Sequence, residues 1–170
     1  MIFRFDSATG EFTAQADDSV PGEGQRAYWL DARTLAVPSS AGTDDGPWTL
    51  HAAPEGGLGV ASGAVTTPDG AASFPLTQRS TGLPDDLRAT YPHLAAYDAF
   101  ELGADVTRDQ IEAALQGQLL VTQAGADGVT YATGVQIAGV LDDVFAAALD
   151  RDLGVTWDGD TPTLALWAPT

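Results

Sequence analysis

Glycine and proline divide this chain into short apolar runs. The sequence has 19 glycines and 10 prolines among 170 residues, and the runs between them have the length of β-strands rather than of helices. Such punctuation favours a sandwich or a barrel over a helical bundle. The sequence therefore predicts a mainly β fold, which we interpret as an antiparallel β-sandwich with one or two short helices.

Turn residues between apolar runs predict two hairpins. In the run 48–52, alternation places Trp48 and Leu50 on one face and Thr49 and His51 on the other. The turn residues 54–57 then precede an alternating run 58–60, which predicts a hairpin. A second hairpin is predicted where an Asp-Gly turn separates 121–123 from 129–131. All candidate strands are 25–31, 34–37, 48–52, 57–61, 70–76, 118–123, 129–137 and the stretch from 153 onward.

Two segments have helical signals. Thr107 is a candidate N-cap, Gln110 is its capping-box partner three residues later, and Gly117 ends the segment. A second helix is predicted from about 140 to 150, with Asp142 and Asp143 in its first turn, where carboxylates favour the helix dipole.

The charge of the chain excludes whole classes of partner. Seven arginines oppose 24 acids, so the net charge is −17, which repels nucleic acid and anionic lipid. No run approaches the ~20 apolar residues of a membrane span, and the N-terminus lacks signal-peptide features. We therefore expect a soluble piece with no nucleic-acid and no membrane partner. The lack of Cys, Lys and Asn fits a GC-rich genome, with salt adaptation as the alternative.

Residues typical of catalytic or metal sites are scarce. The two histidines, His51 and His93, have no Gly-x-Ser-x-Gly partner, and we interpret both as structural, with a buried ring nitrogen bonded to backbone. The carboxylate pairs 150/152 and 158/160 lack the further ligands of a calcium loop and are interpreted as turn residues. We expect no catalytic residue, no metal site and no cofactor in this chain.

Tryptophan is the remaining signal for a sugar site, because a flat ring stacks on a pyranose face. Trp29 and Trp157 fall in runs that resemble core strands. Trp48 instead follows the polar loop 43–47 and begins a strand at its rim. We therefore take Trp48 as the single, weak candidate for glucan stacking; Trp167 is the fourth ring, with core burial as its default interpretation.

Four segments in order resemble the N-terminal region of pullulanase-type starch-debranching enzymes, the group that includes limit dextrinases. They match the second N-terminal domain, which precedes a starch-module-like β-sandwich and a catalytic barrel. The segments are Ala27-Tyr-Trp-Leu-Asp31 with Thr34-Leu35; Tyr91-Pro-His-Leu94 with Ala99-Phe-Glu-Leu102; Thr133-Gly-Val-Gln-Ile137 with Gly139-Val-Leu-Asp-Asp143; and Leu153-Gly-Val-Thr-Trp157 with Leu166-Trp-Ala-Pro-Thr170.

The resemblance implies a division of the chain into three parts. Residues 1–24 match nothing in the family and are expected to form an edge strand, 25–150 are the accessory module, and 151–170 are a linker and the first strand of the next sandwich. Such a parent enzyme would hydrolyse α-1,6 branch points in pullulan, amylopectin or limit dextrins, would be secreted, and in this family often binds calcium. No catalytic residue can be transferred to this chain, because the catalytic barrel is not in it.

Three functions therefore remain open. The first is a non-catalytic interdomain module whose partners are neighbouring domains of the same parent chain. The second is an independent carbohydrate-binding module for α-glucans, and the third is a protein-interaction domain of an acidic, salt-adapted surface protein. Two or more coplanar exposed rings would favour sugar binding, whereas an apolar patch without rings would favour docking to another domain.

Overall fold

The computed structural model describes residues 2–6, 11–15, 24–39, 41, 45–148 and 150–169, with only the backbone given for the first two ranges. Strands β1 (Ile2–Asp6) and β2 (Glu11–Gln15) pair antiparallel with each other. The prediction of an edge strand for 1–24 falls largely outside the described residues, as do Thr43 and Asp44 of the loop before Trp48.

Seven strands form one sheet that closes into a barrel. They are β3 (Gln25–Trp29), β4 (Thr34–Pro38), β5 (Trp48–Ala53), β8 (Ala72–Gln78), β9 (Tyr97–Leu102), β10 (Gln118–Gly125) and β11 (Gly128–Gln136). Their order around the barrel is β10-β11-β3-β4-β9-β8-β5, with β5 returning to β10. All neighbouring pairs are antiparallel except β3 with β11, which is parallel.

Alternate side chains of every barrel strand fill the interior, as expected for a small barrel. Trp29 is 1% exposed and shares one apolar cluster with residues of the other six strands. Trp48 and Leu50 belong to this cluster, so the alternation predicted for the run 48–52 is confirmed. The other buried strand members of the cluster are Ala27, Leu35, Val37, Ala52, Phe74, Leu76, Phe100, Leu102, Leu119, Val121 and Val135.

Two helices close the barrel end at which β9 and β11 finish. Helix α2 (Arg108–Leu115) begins with the predicted capping box between Thr107 and Gln110, and its apolar face joins the interior cluster. Helix α3 (Ala138–Val144) follows β11, and a 3-10 turn (Ala146–Ala148) comes next. The guanidinium of Arg108 donates to the carbonyl of Val144, which connects the two helices.

The outer face of the barrel is covered on two sides. Helix α1 (Asp85–Thr90) and a 3-10 turn (Pro92–Leu94) pack over β3, β4 and β9, with Leu83 and Leu94 buried on Ala36 and Ala99. A hairpin of β6 (Gly59–Ala61) and β7 (Ala64–Thr66) covers β5, β10 and β11. Strands β12 (Gly154–Asp158) and β13 (Thr161–Ala165) form a further separate hairpin.

The mainly β prediction is confirmed, but the finer architecture differs. One sheet closes on itself where we predicted two facing antiparallel sheets, because β5 pairs with both β8 and β10. The hairpin predicted between 48–52 and 58–60 is therefore wrong: β6 pairs with β7 instead. The hairpin at the Asp-Gly turn is confirmed as β10–β11.

The predicted second helix begins and ends earlier than expected. Because α3 starts at Ala138, Asp142 and Asp143 lie beyond its first turn rather than in it. The Asp143 carboxylate instead accepts a hydrogen bond of 2.8 Å from the backbone N–H of Ala32, at the β3–β4 turn. This contact holds α3 against the end of β3.

His51, on β5, links three barrel strands through its ring nitrogens. We predicted that a ring nitrogen would bond to backbone, but both nitrogens bond to side-chain hydroxyls. Its Nδ1 lies 2.9 Å from the Ser73 hydroxyl on β8, and its Nε2 lies 3.0 Å from the Thr122 hydroxyl on β10. Burial lowers the pKa of His51, since the charged ring loses its hydration. The folded protein therefore favours the neutral imidazole.

We expect the stability of the protein to fall as pH falls below about 6.5, the ordinary pKa of histidine. Between about pH 6.5 and the lowered pKa of the folded state, residue 51 is protonated in the unfolded chain but remains neutral in the folded chain. The free energy of unfolding therefore decreases as pH falls through this range. Urea unfolding of wild type and His51→Gln between pH 7.5 and 5 measures the effect. If the free energy of unfolding depends on pH in His51→Gln as it does in wild type, the assignment to His51 is wrong.

Candidate functional site

Trp48 lies at the start of β5, at the end of the barrel opposite α2 and α3. Its ring centroid is 4.8 Å from that of Phe100 and 5.8 Å from that of Tyr131. The ring is half-buried and packs on the interior cluster. Glucan stacking by Trp48 therefore stays a prediction in which only part of the ring is available.

Polar groups accompany the aromatic rings at this end. Gln123, which pairs with Trp48 in register, is 1% exposed. Burial is the main cause that raises the pKa of the Tyr131 phenol, opposed by its hydrogen bond with Thr133 and by the charge of Arg26. The barrel end is thus a packed mixture of rings and polar atoms, not an open apolar pocket.

A second group of rings lies on the outer face, and our sequence reasoning missed it. Tyr97, Tyr28, His93 and Tyr91, which we call the aromatic row, follow one another with centroids 5.8, 5.9 and 6.3 Å apart. The three tyrosines are half-buried on the outer cluster and His93 is exposed. The alternation in β3 was the available signal: Trp29 faces the interior, so Tyr28 must face outward.

Carboxylates lie close to one end of the aromatic row. Partial burial, and then the negative charges of Asp142, Asp31 and Asp143, raise the pKa of Tyr91. At the other end, a cleft of about 460 Å³ is lined by Arg26, Pro38, Ser39, Ala96 and Tyr97. The row therefore combines ring surface with hydrogen-bonding groups. Its rings are not coplanar, because consecutive planes meet at 74–80°.

Among the side chains that the structure describes, the large exposed apolar ones lie in the C-terminal part of the chain. Val155 pairs with Leu164 across the β12–β13 hairpin and Trp157 pairs with Pro162, so these four residues share one face, which we call the hairpin face. Trp157 is 67% exposed, and our prediction that it lies in a core strand is wrong. Trp167 is 43% exposed and contacts Phe145 of the α3 end at 6.4 Å between centroids.

The geometry contains little that is suited to catalysis. Within the described ranges, no three His, Cys, Asp or Glu side chains are grouped to hold a metal ion. Asp158 and Asp160 flank the β12–β13 turn at Gly159, as predicted for turn carboxylates. None of the helices in the described part of the chain is long and apolar enough to span a membrane.

Comparison with known proteins identifies the barrel. The family model described as the pullulanase N2 domain matches residues 24–143, which extend from the start of β3 to the end of α3. The chain belongs to the pullulanase N2 domain family. This confirms the resemblance that we recognised in the four sequence segments.

Curated relatives and solved structures agree with the N2 assignment. The chain is 30% identical over 146 residues to pullulanase 1, chloroplastic, of Arabidopsis thaliana, and 32% identical over 149 residues to pullulanase of Klebsiella pneumoniae. A crystal structure of the Klebsiella pneumoniae pullulanase complexed with maltotriose matches with a TM-score of 0.71 at 30% identity. PulA from Klebsiella oxytoca also matches at 0.71, with 28% identity.

The match covers most of this chain and a small part of each relative. It includes 85% of the chain but only 14% of the Arabidopsis protein and 12% of the Klebsiella pneumoniae protein. Each of the two crystal structures is matched over 86% of this chain and 13% of its own chain. The N2 domain is thus one part of much longer pullulanase chains.

Trp157 is exposed and Trp29 is buried, so a collisional quencher should affect their fluorescence differently. We expect acrylamide to quench Trp157 strongly and Trp29 hardly at all, because quenching requires collision with the ring. Trp157→Phe should therefore remove the most readily quenched component of the fluorescence, measured as the Stern–Volmer slope, and Trp167→Phe should remove a less quenched one. An unchanged slope in Trp157→Phe would show that this ring is covered.

Proposed function

We propose that this N2 domain is a non-catalytic accessory module of a longer pullulanase-type enzyme. The observation that carries the proposal is the match of the whole barrel to the N2 family, within relatives of which the match covers only 14% and 12%. The parent chain would hydrolyse α-1,6-glucosidic links in pullulan, amylopectin or limit dextrins. Its hydrolytic carboxylates would lie in another domain.

The barrel interior supports a structural role. Apolar side chains of the seven strands and of the two covering helices pack together there, as expected for a small barrel whose interior is filled by side chains. A rigid barrel of this kind keeps fixed positions for the surfaces on its outside. Those surfaces are where the N2 domain would contact its neighbours.

The hairpin face is the surface that we assign to a neighbouring domain of the same parent chain. Residues 151–170 lie beyond the family match and would be a linker and the start of a following β-sandwich, as the sequence resemblance implied. In support, β12 and β13 pair only with each other among the described strands, and their apolar side chains are exposed. A neighbouring domain that covered the hairpin face would remove that apolar area from water.

The cellular location of the parent enzyme differs among pullulanases. The name of the Arabidopsis relative carries the word chloroplastic, so pullulanases need not share one location. We propose secretion for this parent, as the resemblance to bacterial pullulanases implied.

Absence of catalysis can be tested directly. We expect this chain to release no reducing ends from pullulan or starch at high protein concentration. A boiled sample of the same protein is the control, and an intact pullulanase shows that the assay responds. Release above the boiled sample would contradict the non-catalytic assignment.

Amide exchange tests the role of the hairpin. We expect the amides of β13 to exchange far faster than those of β10, because an isolated two-stranded hairpin is marginally stable in water whereas β10 has neighbours on both sides. Measurements at two protein concentrations separate pairing between copies from intrinsic stability. Strong protection of β13 in a dilute monomer would mean that the hairpin is native to this module.

A further inference from the structure

The aromatic row differs from ordinary core tyrosines in what surrounds it. Tyr28 is aligned in the sheet with Ala36 and Ala99 on the neighbouring strands, and its ring is half-buried on the cluster that contains these two alanines. His93 and Tyr97 continue the ring surface on either side, at 5.9 and 5.8 Å. His93 is exposed and the three tyrosines are half-buried, so parts of four neighbouring rings reach the surface.

Charge restricts what this surface can bind. The net charge of −17 disfavours every anionic ligand, including phosphorylated ones. The negative charges of Asp142 and Asp31 act on Tyr91; Asp31 already accepts from the Arg33 and Thr34 backbone, whereas the exposed Asp142 offers an acceptor for hydroxyl groups. An uncharged, hydroxyl-rich ligand with apolar ring faces meets both conditions, and a carbohydrate has that chemistry.

The angles between the rings indicate which carbohydrate fits. A β-1,4-linked glucan is a flat ribbon and suits coplanar rings, whereas an α-linked glucan curves along its length. The rings of the row turn by 74–80° from one to the next, which suits the curved chain.

We propose that the aromatic row of Tyr97, Tyr28, His93 and Tyr91 binds an α-linked glucan chain. The choice of glucan rests on the proposed function, since pullulanase of Klebsiella pneumoniae is known in complex with maltotriose. The cleft beside Tyr97 gives room for a sugar at the end of the row. The barrel end at Trp48 is the competing location within the same chain.

The binding is weak. Each partly exposed ring adds only about 1 kcal/mol beyond its buried area, or about a fivefold change in affinity, and association costs several kcal/mol. We expect millimolar affinity for maltoheptaose and weaker affinity for maltotriose, which covers fewer rings.

Titration with maltoheptaose, followed by two-dimensional NMR of the backbone amides and the four indole N–H groups, locates the site. We expect shifts at residues 28 and 91–97, with the Trp48 and Trp157 indole signals unchanged. A β-1,4-linked cello-oligosaccharide of similar length should give much smaller shifts. Shifts confined to the Trp48 indole and its neighbours would contradict glucan binding by the aromatic row and would place the site at the barrel end.

Matched variants then test the rings. His93→Ala should weaken maltoheptaose binding about fivefold without loss of stability, because His93 is exposed. Tyr97→Ala should weaken it similarly, while Trp157→Ala, which removes an exposed ring from the hairpin face, should leave it unchanged. Melting temperatures show whether each variant is folded, and if Tyr97→Ala is not, His93→Ala decides.

Failure of this inference is distinguishable from failure of the proposed function. No shift at tens of millimolar maltoheptaose, or binding unaffected by His93→Ala, would overturn glucan binding by the row. Neither result would alter the reducing-end assay or the exchange of the hairpin amides, which test the accessory role.

Discussion

Parallel pairing of β3 with β11 is the contact on which the rest of the barrel depends. Six antiparallel contacts lead from β11 round to β3, and a sheet of seven strands cannot close with antiparallel contacts alone, because its first and last strands run in the same direction. The Thr133 hydroxyl secures this joint by accepting from the Arg26 N–H at 2.9 Å and donating to the Gly24 carbonyl at 3.1 Å. Gly134 allows the close approach, since a Cβ there would lie 2.8 Å from the Gln25 side chain. Without this joint, the interior around Trp29 would face water.

Local patterns predicted the strands well but not their partners. The alternation in the run 48–52 places the same residues inward in a sandwich and in a barrel, so it cannot distinguish the two folds. The turn after β5 is real, with Gly56 and Gly57 at positive φ, yet it leads to a hairpin that covers the outer face rather than to a neighbouring strand of the sheet. Strand β9 was missed because its outward positions are not uniformly polar. Ala99 faces outward but is buried under Leu94, and Glu101 is half-buried. Polar and apolar residues therefore do not simply alternate along this strand.

The candidate site was less predictable than the fold, for a similar reason. Sequence reasoning ranked tryptophans by their neighbours in the chain, so it placed Trp157 in a core and gave Trp48 a solvent-facing rim. In the structure, Trp157 lies on a hairpin without a covering partner among the described residues, and Trp48 packs on Phe100. The aromatic row draws on β3, β9 and the turn after α1, which come together only when the sheet has formed. The segment Tyr91-Pro-His-Leu94 was recognised as similar to the family, but the sequence did not show that its rings lie beside Tyr28.

The two exposed surfaces differ in a way that separates their partners. The tyrosines of the aromatic row are supported from below by Leu83, Leu94 and the alanines of the outer cluster, so they are held in place before any ligand arrives and expose rings together with polar tips. The apolar side chains of the hairpin face are exposed and belong to none of the buried clusters of the described residues, so covering by another folded surface would remove this apolar area from water. The prearranged, partly polar row is the surface that we propose for a soluble sugar, and the apolar hairpin face is the one that we propose for a neighbouring domain. The two proposed contacts use different residues, because the aromatic row lies on the outer face of the barrel and the hairpin face lies on the separate β12–β13 hairpin.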